Sequence, residues 1–114
     1  MPTLRITTNV HVPSEQRNGL LAEASATVGE MLGKPERYVM IILEDGRAMS
    51  FAGAQEPTAY LELKSLGLCE EEAPSYSHTL CDFLGETLSI PAERIYIELT
   101  SPPRHLFGWN RSTF

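Results

Sequence analysis

Proline at position 2 has the most unusual chemical potential of any residue in this sequence. Removal of Met1 would leave Pro2 with a free secondary amine, and proline alone among the residue types can offer one. The pKa of an amino group at a chain start is about 8 in model peptides, and burial lowers it further. Such a group can act as a general acid–base catalyst near neutral pH. Proline after the initiator is also a common start without chemical purpose, so this position alone leaves both interpretations open.

Lys34 offers the complementary chemistry, a fixed positive charge that could stabilise negative charge on a substrate oxygen. It follows the end of a predicted helix, where a cation is favoured by about 0.3–1 kcal/mol whatever its function. The histidines and cysteines show no metal-ligand or disulfide spacing, and neither a metal site nor a disulfide is expected. These residues are His11, His78, His105, Cys69 and Cys81.

The bulk composition describes one globular domain. The chain has 114 residues, 42% of them hydrophobic, and a net charge of −6. That charge argues against nucleic acid or an anionic membrane surface as the main partner. No signal peptide and no run of transmembrane length is expected. A cytoplasmic location is therefore predicted, and export by a non-classical route is left open.

Hydrophobic spacing predicts four strands and two helices. The segment "TLRIT" alternates, with Leu4 and Ile6 on the buried face that Pro2 shares. "PSEQRNGLLAEASATVGEMLG" has helical spacing, with Ser14 as the predicted N-cap and Gly33 as the stop. Strands follow in "YVMIILEDG" and "TAYLELKSLG", then a helix in "CEEEAPSYSHTLCDFLGETLS" and a strand in "ERIYIEL". Residues 102–114 form a proline-broken, aromatic C-terminal tail.

The two halves of the chain resemble each other. "LGKPERYVMI" ends the first helix and opens a strand, and "LSIPAERIYI" does the same in the second half. This predicts a duplicated β-α-β unit within a single domain of residues 1–114, with repeats at about 2–52 and 58–101. The fold class is α/β, an α+β sandwich of one mixed four-stranded sheet with two helices on one face.

That architecture leaves one face of the sheet uncovered. The run "VMIIL" is apolar on both faces, as in a strand buried on both sides. An exposed apolar sheet face would be a liability for a monomer, so the sequence predicts oligomerisation.

The ordered motifs resemble one protein family from end to end. The Met-Pro start, "TTNV", "GKPERYV", "FAGAQEP", "SLG", "ERIYIEL" and "GWNRSTF" are similar to the macrophage migration inhibitory factor family of the tautomerase superfamily. The resemblance implies a homotrimer with active sites between subunits, and we expect a microbial member. It implies keto–enol tautomerisation of a small aromatic 2-oxo acid such as phenylpyruvate, without cofactor or metal. Animal members also act as cytokines, and receptor binding cannot be read from the sequence.

The resemblance also implies roles for individual residues. Pro2 would be the catalytic base, and Lys34 would meet the substrate carboxylate or enol oxygen. The backbone amide of Leu66 would serve the same anion, and Tyr96 would enter from the neighbouring subunit. The other expected substrate-binding positions are Tyr38, Lys64, Ser65, Glu98, Phe107, Trp109 and Phe114.

Departures from the family pattern keep alternatives open. Glu98 stands where the best-known animal member has asparagine, and a carboxylate near Pro2 would raise the pKa of its amine. Related dehalogenases combine an amino-terminal proline with a glutamate and arginines, so a hydratase or dehalogenase using Pro2 and Glu98 is one alternative. No basic residue replaces Thr3, which weighs against it. Lys64 replaces a pocket-rim histidine, and "TAYL" replaces the CxxC of the animal cytokine. The other alternative is a cytokine-like binding protein with a vestigial pocket.

Overall fold

A mixed four-stranded sheet forms the centre of the molecule, whose computed structural model describes residues 1–114. Its strands are β1 (Thr3–Thr8), β2 (Met40–Glu44), β3 (Ala59–Lys64) and β4 (Ile95–Thr100), in the order β2-β1-β3-β4. The two β-α-β units each contribute a parallel pair, β1 with β2 and β3 with β4, and β1 runs antiparallel to β3. The predicted fold class and duplication are confirmed.

Helices α1 (Ser14–Leu32) and α2 (Ala73–Leu88) contribute their apolar faces to a core shared with the sheet. Alternate residues of the strands point into that core, and those of β1 and β3 are at most 2% exposed. The innermost strand positions are Leu4, Ile6, Ala59, Leu61 and Leu63. Burial of this alternating set fixes the register, because a slip by one residue would turn every apolar side chain outward.

The helix ends are only partly as the sequence predicts. Gly33 does end α1, in the left-handed conformation with φ 64°. The N-cap is Pro13 rather than Ser14, and no side chain caps the helix. Ser14 is already inside the first turn, where its hydroxyl lies 3.5 Å from the Glu15 carboxylate. A proline with an extended backbone cannot supply the side-chain oxygen that an N-cap serine would.

The uncovered face of the sheet is more polar than the run "VMIIL" suggests. Twelve strand positions face this side, and eight of them are threonine or charged residues. The expectation of an apolar sheet face is wrong because the three strands other than β2 place mainly threonine and charged residues there. Within the sheet, the exposed large hydrophobic residues lie on the two edge strands, with Met40 of β2 58% exposed and Tyr96 of β4 65% exposed. Both edges present unpaired backbone groups, so the oligomer stays a prediction that now rests on the edges.

The C-terminal tail folds back as a small hairpin of β5 (Gly108–Trp109) and β6 (Ser112–Thr113). Its two-residue turn uses Asn110 with φ 48° and Arg111 with φ 69°. Positive φ at both turn positions matches the hairpin turn that suits the right-handed strand twist. Neither helix of the protein combines the length and apolar character needed to cross a membrane.

Candidate active site

Pro2 lies at the head of the central strand β1 and is fully buried, with less than 2% of its surface exposed. Its carbonyl accepts a hydrogen bond of 2.9 Å from the Met40 N–H, which continues the pairing of β1 with β2. The ring is therefore held by the sheet on the helix-facing side, as the alternation of "TLRIT" predicts. Its nitrogen is an amide while Met1 is attached, and cannot act as a base in that form.

Lys34 joins the end of α1 to the segment that follows β3. Its Nζ donates a hydrogen bond of 2.9 Å to the Leu66 carbonyl. Leu66 is itself only 3% exposed. The Leu66 N–H donates to no acceptor in the chain, although buried backbone donors are almost always paired. Lys34 and Leu66, the two residues expected to hold an anionic oxygen, are therefore in direct contact.

The amino group at the chain start lies in the field of two cations. Its pKa is lowered from the ordinary value, first by burial and then by the positive charges of Lys34 and Arg104. Both causes disfavour the ammonium form, so more of this amine is a free base at neutral pH. That amine belongs to Met1, and the Pro2 nitrogen lies one residue further into the same surroundings.

A cavity of about 320 Å³ opens beside the chain start, and seven of its ten lining residues are hydrophobic. The lining comprises Met1, Thr3, Arg37, Tyr38, Val39, Met40, Phe107, Gly108, Trp109 and Phe114. Met1 is part of this wall, whereas Pro2, Lys34, Leu66 and Ser65 are not. Four of the expected wall residues meet here, namely Tyr38, Phe107, Trp109 and Phe114.

Aromatic rings build one side of the cavity. Trp109 stacks on Phe114 with ring centres 5.8 Å apart and meets Tyr38 edge-on at 5.7 Å. Phe107 and Phe114 lie 6.0 Å apart, and the Phe114 N–H donates to the Phe107 carbonyl at 3.1 Å. The terminal hairpin thus presents a flat apolar surface to the chain start. A planar ring could pack there, and the exposed half of Trp109 would lose contact with water.

Tyr96, Glu98 and Lys64 do not join this cavity within one chain. All three point to the uncovered face of the sheet, and β4 is separated from β1 by β3. The Tyr96 ring packs edge-on against Phe51 at 4.9 Å. Glu98 is exposed and lies opposite Glu62 in the pairing of β3 with β4. The pKa of Tyr60 is raised, first by burial and then by the charges of these two carboxylates. Tyr96 and Glu98 can therefore reach the cavity only from a second copy.

Sequence reasoning missed several residues at the cavity. Arg37 lies over the Tyr38 ring, 4.8 Å from its centre, and Met40 lines the cavity as well as the free edge of β2. Arg104 acts on the start amine from a tail where no periodic pattern exists. The repeat unit contained the signal for Arg37, since this residue follows a helix end in both halves. No sequence pattern marks Arg104.

Two other depressions lack this chemistry. One of about 380 Å³ lies between the helices around Gln16, Glu23 and Glu86, and one of about 480 Å³ lies around Asn9 and Arg47. Neither is lined by an aromatic ring, and neither adjoins the chain start. The cavity beside Met1 is therefore the candidate site.

Known proteins resemble this chain over its full length. A family model described as macrophage migration inhibitory factor matches residues 1–114. The macrophage migration inhibitory factor of Xenopus tropicalis is 36% identical over 115 residues, covering 100% of this chain and 99% of the relative. The homologue of Brugia malayi is 37% identical over 115 residues, with the same coverage.

Solved structures also resemble this chain over nearly its full length. The crystal structure of a macrophage migration inhibitory factor homologue from Prochlorococcus marinus superimposes with a TM-score of 0.91 at 42% identity, covering 98% of both chains. The structure of the factor from Trichinella spiralis gives a TM-score of 0.89 at 33% identity, covering 98% of this chain and 99% of the other.

Proposed function

Because the chain belongs to the macrophage migration inhibitory factor family, we propose that it is a keto–enol tautomerase whose acid–base group is the Pro2 amine, freed by removal of Met1. The observation that carries this proposal is the placement of Pro2, which is buried and directly follows Met1, a wall residue of the cavity that Tyr38, Phe107, Trp109 and Phe114 also line. Loss of Met1 would expose the amine to that cavity. The lowered pKa of the present start amine supports a free base in these surroundings.

The reaction uses the amine twice. The neutral Pro2 nitrogen takes a proton from the carbon next to the ketone, and the electrons of the broken C–H bond move to the carbonyl oxygen. The resulting enolate accepts the proton back on oxygen, which gives the enol, or on carbon, which restores the ketone. At the end of the reaction the neutral amine is restored, and no proton has been gained or lost overall. The best catalyst for both transfers has a pKa near the working pH.

The oxygen atoms of the substrate require positive partners. The Lys34 ammonium, held at 2.9 Å from the Leu66 carbonyl, and the unused Leu66 N–H would hold the enolate oxygen or the carboxylate. Groups fixed before the reaction stabilise developing charge without reorganisation. The stacked Trp109 and Phe114 rings would pack on an aromatic side chain. These features favour an aromatic 2-oxo acid such as phenylpyruvate as the substrate.

The working form is proposed to be a homotrimer. The free edges of β2 and β4 and the exposed Met40 and Tyr96 support subunit pairing through the edges. In that assembly Tyr96 and Glu98 of one subunit would close the cavity of the next. Sedimentation of the purified protein tests this, and a monomer with full turnover would contradict it.

The activity experiment combines an intact mass with phenylpyruvate tautomerisation on the same sample. Protein without Met1 is expected to turn over, and Pro2→Gly to lose most of that turnover. The matched control is a preparation in which one alanine precedes Pro2, so that the proline is kept but its nitrogen is an amide. Full turnover by this control, or by protein whose mass shows Met1 retained throughout, would exclude Pro2 as the base.

A cytokine-like binding role is the second candidate, supported by the factor names that the relatives carry. It predicts that Pro2→Gly leaves receptor binding or a cellular effect intact. The same variant therefore separates an enzyme from a binding protein with a vestigial pocket. A hydratase or dehalogenase role receives less support, since no basic residue replaces Thr3, which follows Pro2.

A further inference from the structure

Ser65 has the one buried side-chain polar atom in the protein without a hydrogen-bond partner. The residue is 0% exposed, and its backbone N–H is fixed by a 3.1 Å hydrogen bond to the Thr100 carbonyl. The hydroxyl therefore cannot turn to water by a small local movement. Buried hydroxyls are nearly always satisfied, and an exception calls for an explanation. The Ser65 hydroxyl is therefore free to accept a hydrogen bond from a donor close to it.

The sheet register identifies the neighbour. Strands β1 and β3 are antiparallel, with Thr3 opposite Lys64 and Leu4 opposite Leu63. Continuing the pairing by one residue sets Pro2 opposite Ser65. Alternation turns both toward the helix side, in agreement with the full burial of both residues. Side chains directly opposite in such a pair have Cβ atoms about 4.5–5.5 Å apart, which is within reach of a hydrogen bond from one to the other.

Met1 explains why the hydroxyl is unpaired. While Met1 is attached, the Pro2 nitrogen is a tertiary amide without a hydrogen and can donate nothing. Removal of Met1 changes this nitrogen into a secondary amine with one N–H and one lone pair. A protonated amine has two N–H groups. The Ser65 oxygen then lies beside the Pro2 N–H, which can donate a hydrogen bond to it.

We propose that Ser65 is a positioning residue for the Pro2 amine, accepting a hydrogen bond from its N–H once Met1 has been removed. This inference rests on the proposed function. With one N–H directed to Ser65, the lone pair of the neutral amine is left facing the cavity, where a substrate proton can be taken. After proton uptake the second N–H faces the same side and can return that proton. Ser65 would contact the amine and not the substrate, and it would exchange no proton itself.

The test replaces the acceptor and measures the amine directly. Ser65→Ala removes the oxygen from a position where nothing else needs it, and Ser65→Cys keeps a weak acceptor of similar size as a second variant. The Pro2 pKa is measured by nitrogen NMR of protein labelled at proline, which does not require turnover. Removing an acceptor of the charged form is expected to lower that pKa by about one unit in Ser65→Ala, and by less in Ser65→Cys. The acidic limb of kcat/KM should shift by the same amount, and kcat should fall about tenfold.

Thr87→Val provides the matched control, because its hydroxyl donates to the Phe83 carbonyl in α2 and lies outside the cavity wall. It should leave the Pro2 pKa unchanged. A folded Ser65→Ala protein with the wild-type pKa would overturn the positioning role, even if Pro2-dependent turnover is normal. A lowered pKa in protein that does not tautomerise would retain the Ser65 contact and reject the proposed function. The two ideas therefore fail on different measurements.

Discussion

Replacement of Lys34 by methionine tests the anion site most directly. Methionine keeps the length of the side chain and removes both the charge and the 2.9 Å hydrogen bond to the Leu66 carbonyl. Loss of one fixed donor to a developing oxyanion typically costs about 10²–10³ in kcat. The folding cost is smaller, about 1.5–3 kcal/mol for a hydrogen bond made by a charged group, and nearer the lower limit because Lys34 is only partly buried.

Replacement of Lys34 by methionine should also change the pKa of the amine. The Lys34 charge lowers the pKa of the Met1 amine. We expect it to act in the same direction on the Pro2 amine, so removing it should raise that pKa and move the acidic limb of the rate profile to higher pH. Arg104→Met is the control, since Arg104 also lowers this pKa but makes no hydrogen bond to Leu66. We expect a shifted profile in both variants and a large loss of kcat at the pH optimum only in Lys34→Met. Phenylpyruvate kinetics across pH measures both quantities. Equal losses in the two variants would show that Lys34 acts only through the general field, and unchanged turnover in Lys34→Met would refute the anion site.

Three other changes have defined outcomes. Trp109→Ala should raise KM for phenylpyruvate severalfold while KM for pyruvate, which has no ring, changes little; equal changes would argue against ring packing on the Trp109–Phe114 stack. Arg94→Met removes a guanidinium that donates to the carbonyls of Phe51, Ala54, Glu56 and Pro57, and should cost about 2–4 kcal/mol in chemical denaturation because those acceptors lose their partner. Asp45→Asn should cost about 1–2 kcal/mol at neutral pH. The pKa of Asp45 is lowered from 3.8 chiefly by its hydrogen bond from the Val12 N–H, so this contribution is present above about pH 4 and lost as the pH falls through the folded pKa. Denaturation at pH 7 and at successively lower pH should show the difference between the two proteins shrinking in acid, and a difference that stays constant down to acid unfolding would contradict this.

Much of the fold could be predicted because its signals are local and repeated. Alternation in "TLRIT" and the helical stripes set the elements, and Gly33 marked the end of α1. The predicted N-cap was wrong because, when a proline precedes a serine at a helix start, either residue can be the last one outside the helix. The prediction of an apolar uncovered sheet face, which was made from "VMIIL", was wrong for a different reason. Met40 and Ile42 do face the uncovered side, but an apolar run in one strand does not reveal which residues the other three strands place on that face.

The site was predictable only in part. Tyr38 and the three tail aromatics come together as the motif order implied, since the family resemblance spans the whole chain. The resemblance implied Ser65 as a substrate-binding position, but not that its hydroxyl is unpaired and opposite Pro2. That placement depends on the sheet register, which is set by the core rather than by any pattern around position 65. Arg104 lies outside the sheet, in a tail without a periodic pattern, and could not have been found from the sequence.

The proposed trimer would link assembly to chemistry through the charge around Pro2. Within one chain, the charges acting on the start amine are Lys34 and Arg104, and both favour the free base. Glu98 lies on the edge strand β4, so its carboxylate can approach that amine only when another copy docks against the cavity. A carboxylate favours the ammonium form and opposes the two cations. Subunit pairing would thus close the cavity and also move the amine toward a balance in which it can both take and return a proton. A base held only among cations would take up protons poorly, and one beside an unopposed carboxylate would release them poorly. In the proposed trimer, dividing the opposing charges between two copies would make balanced acid–base chemistry a property of the assembled protein.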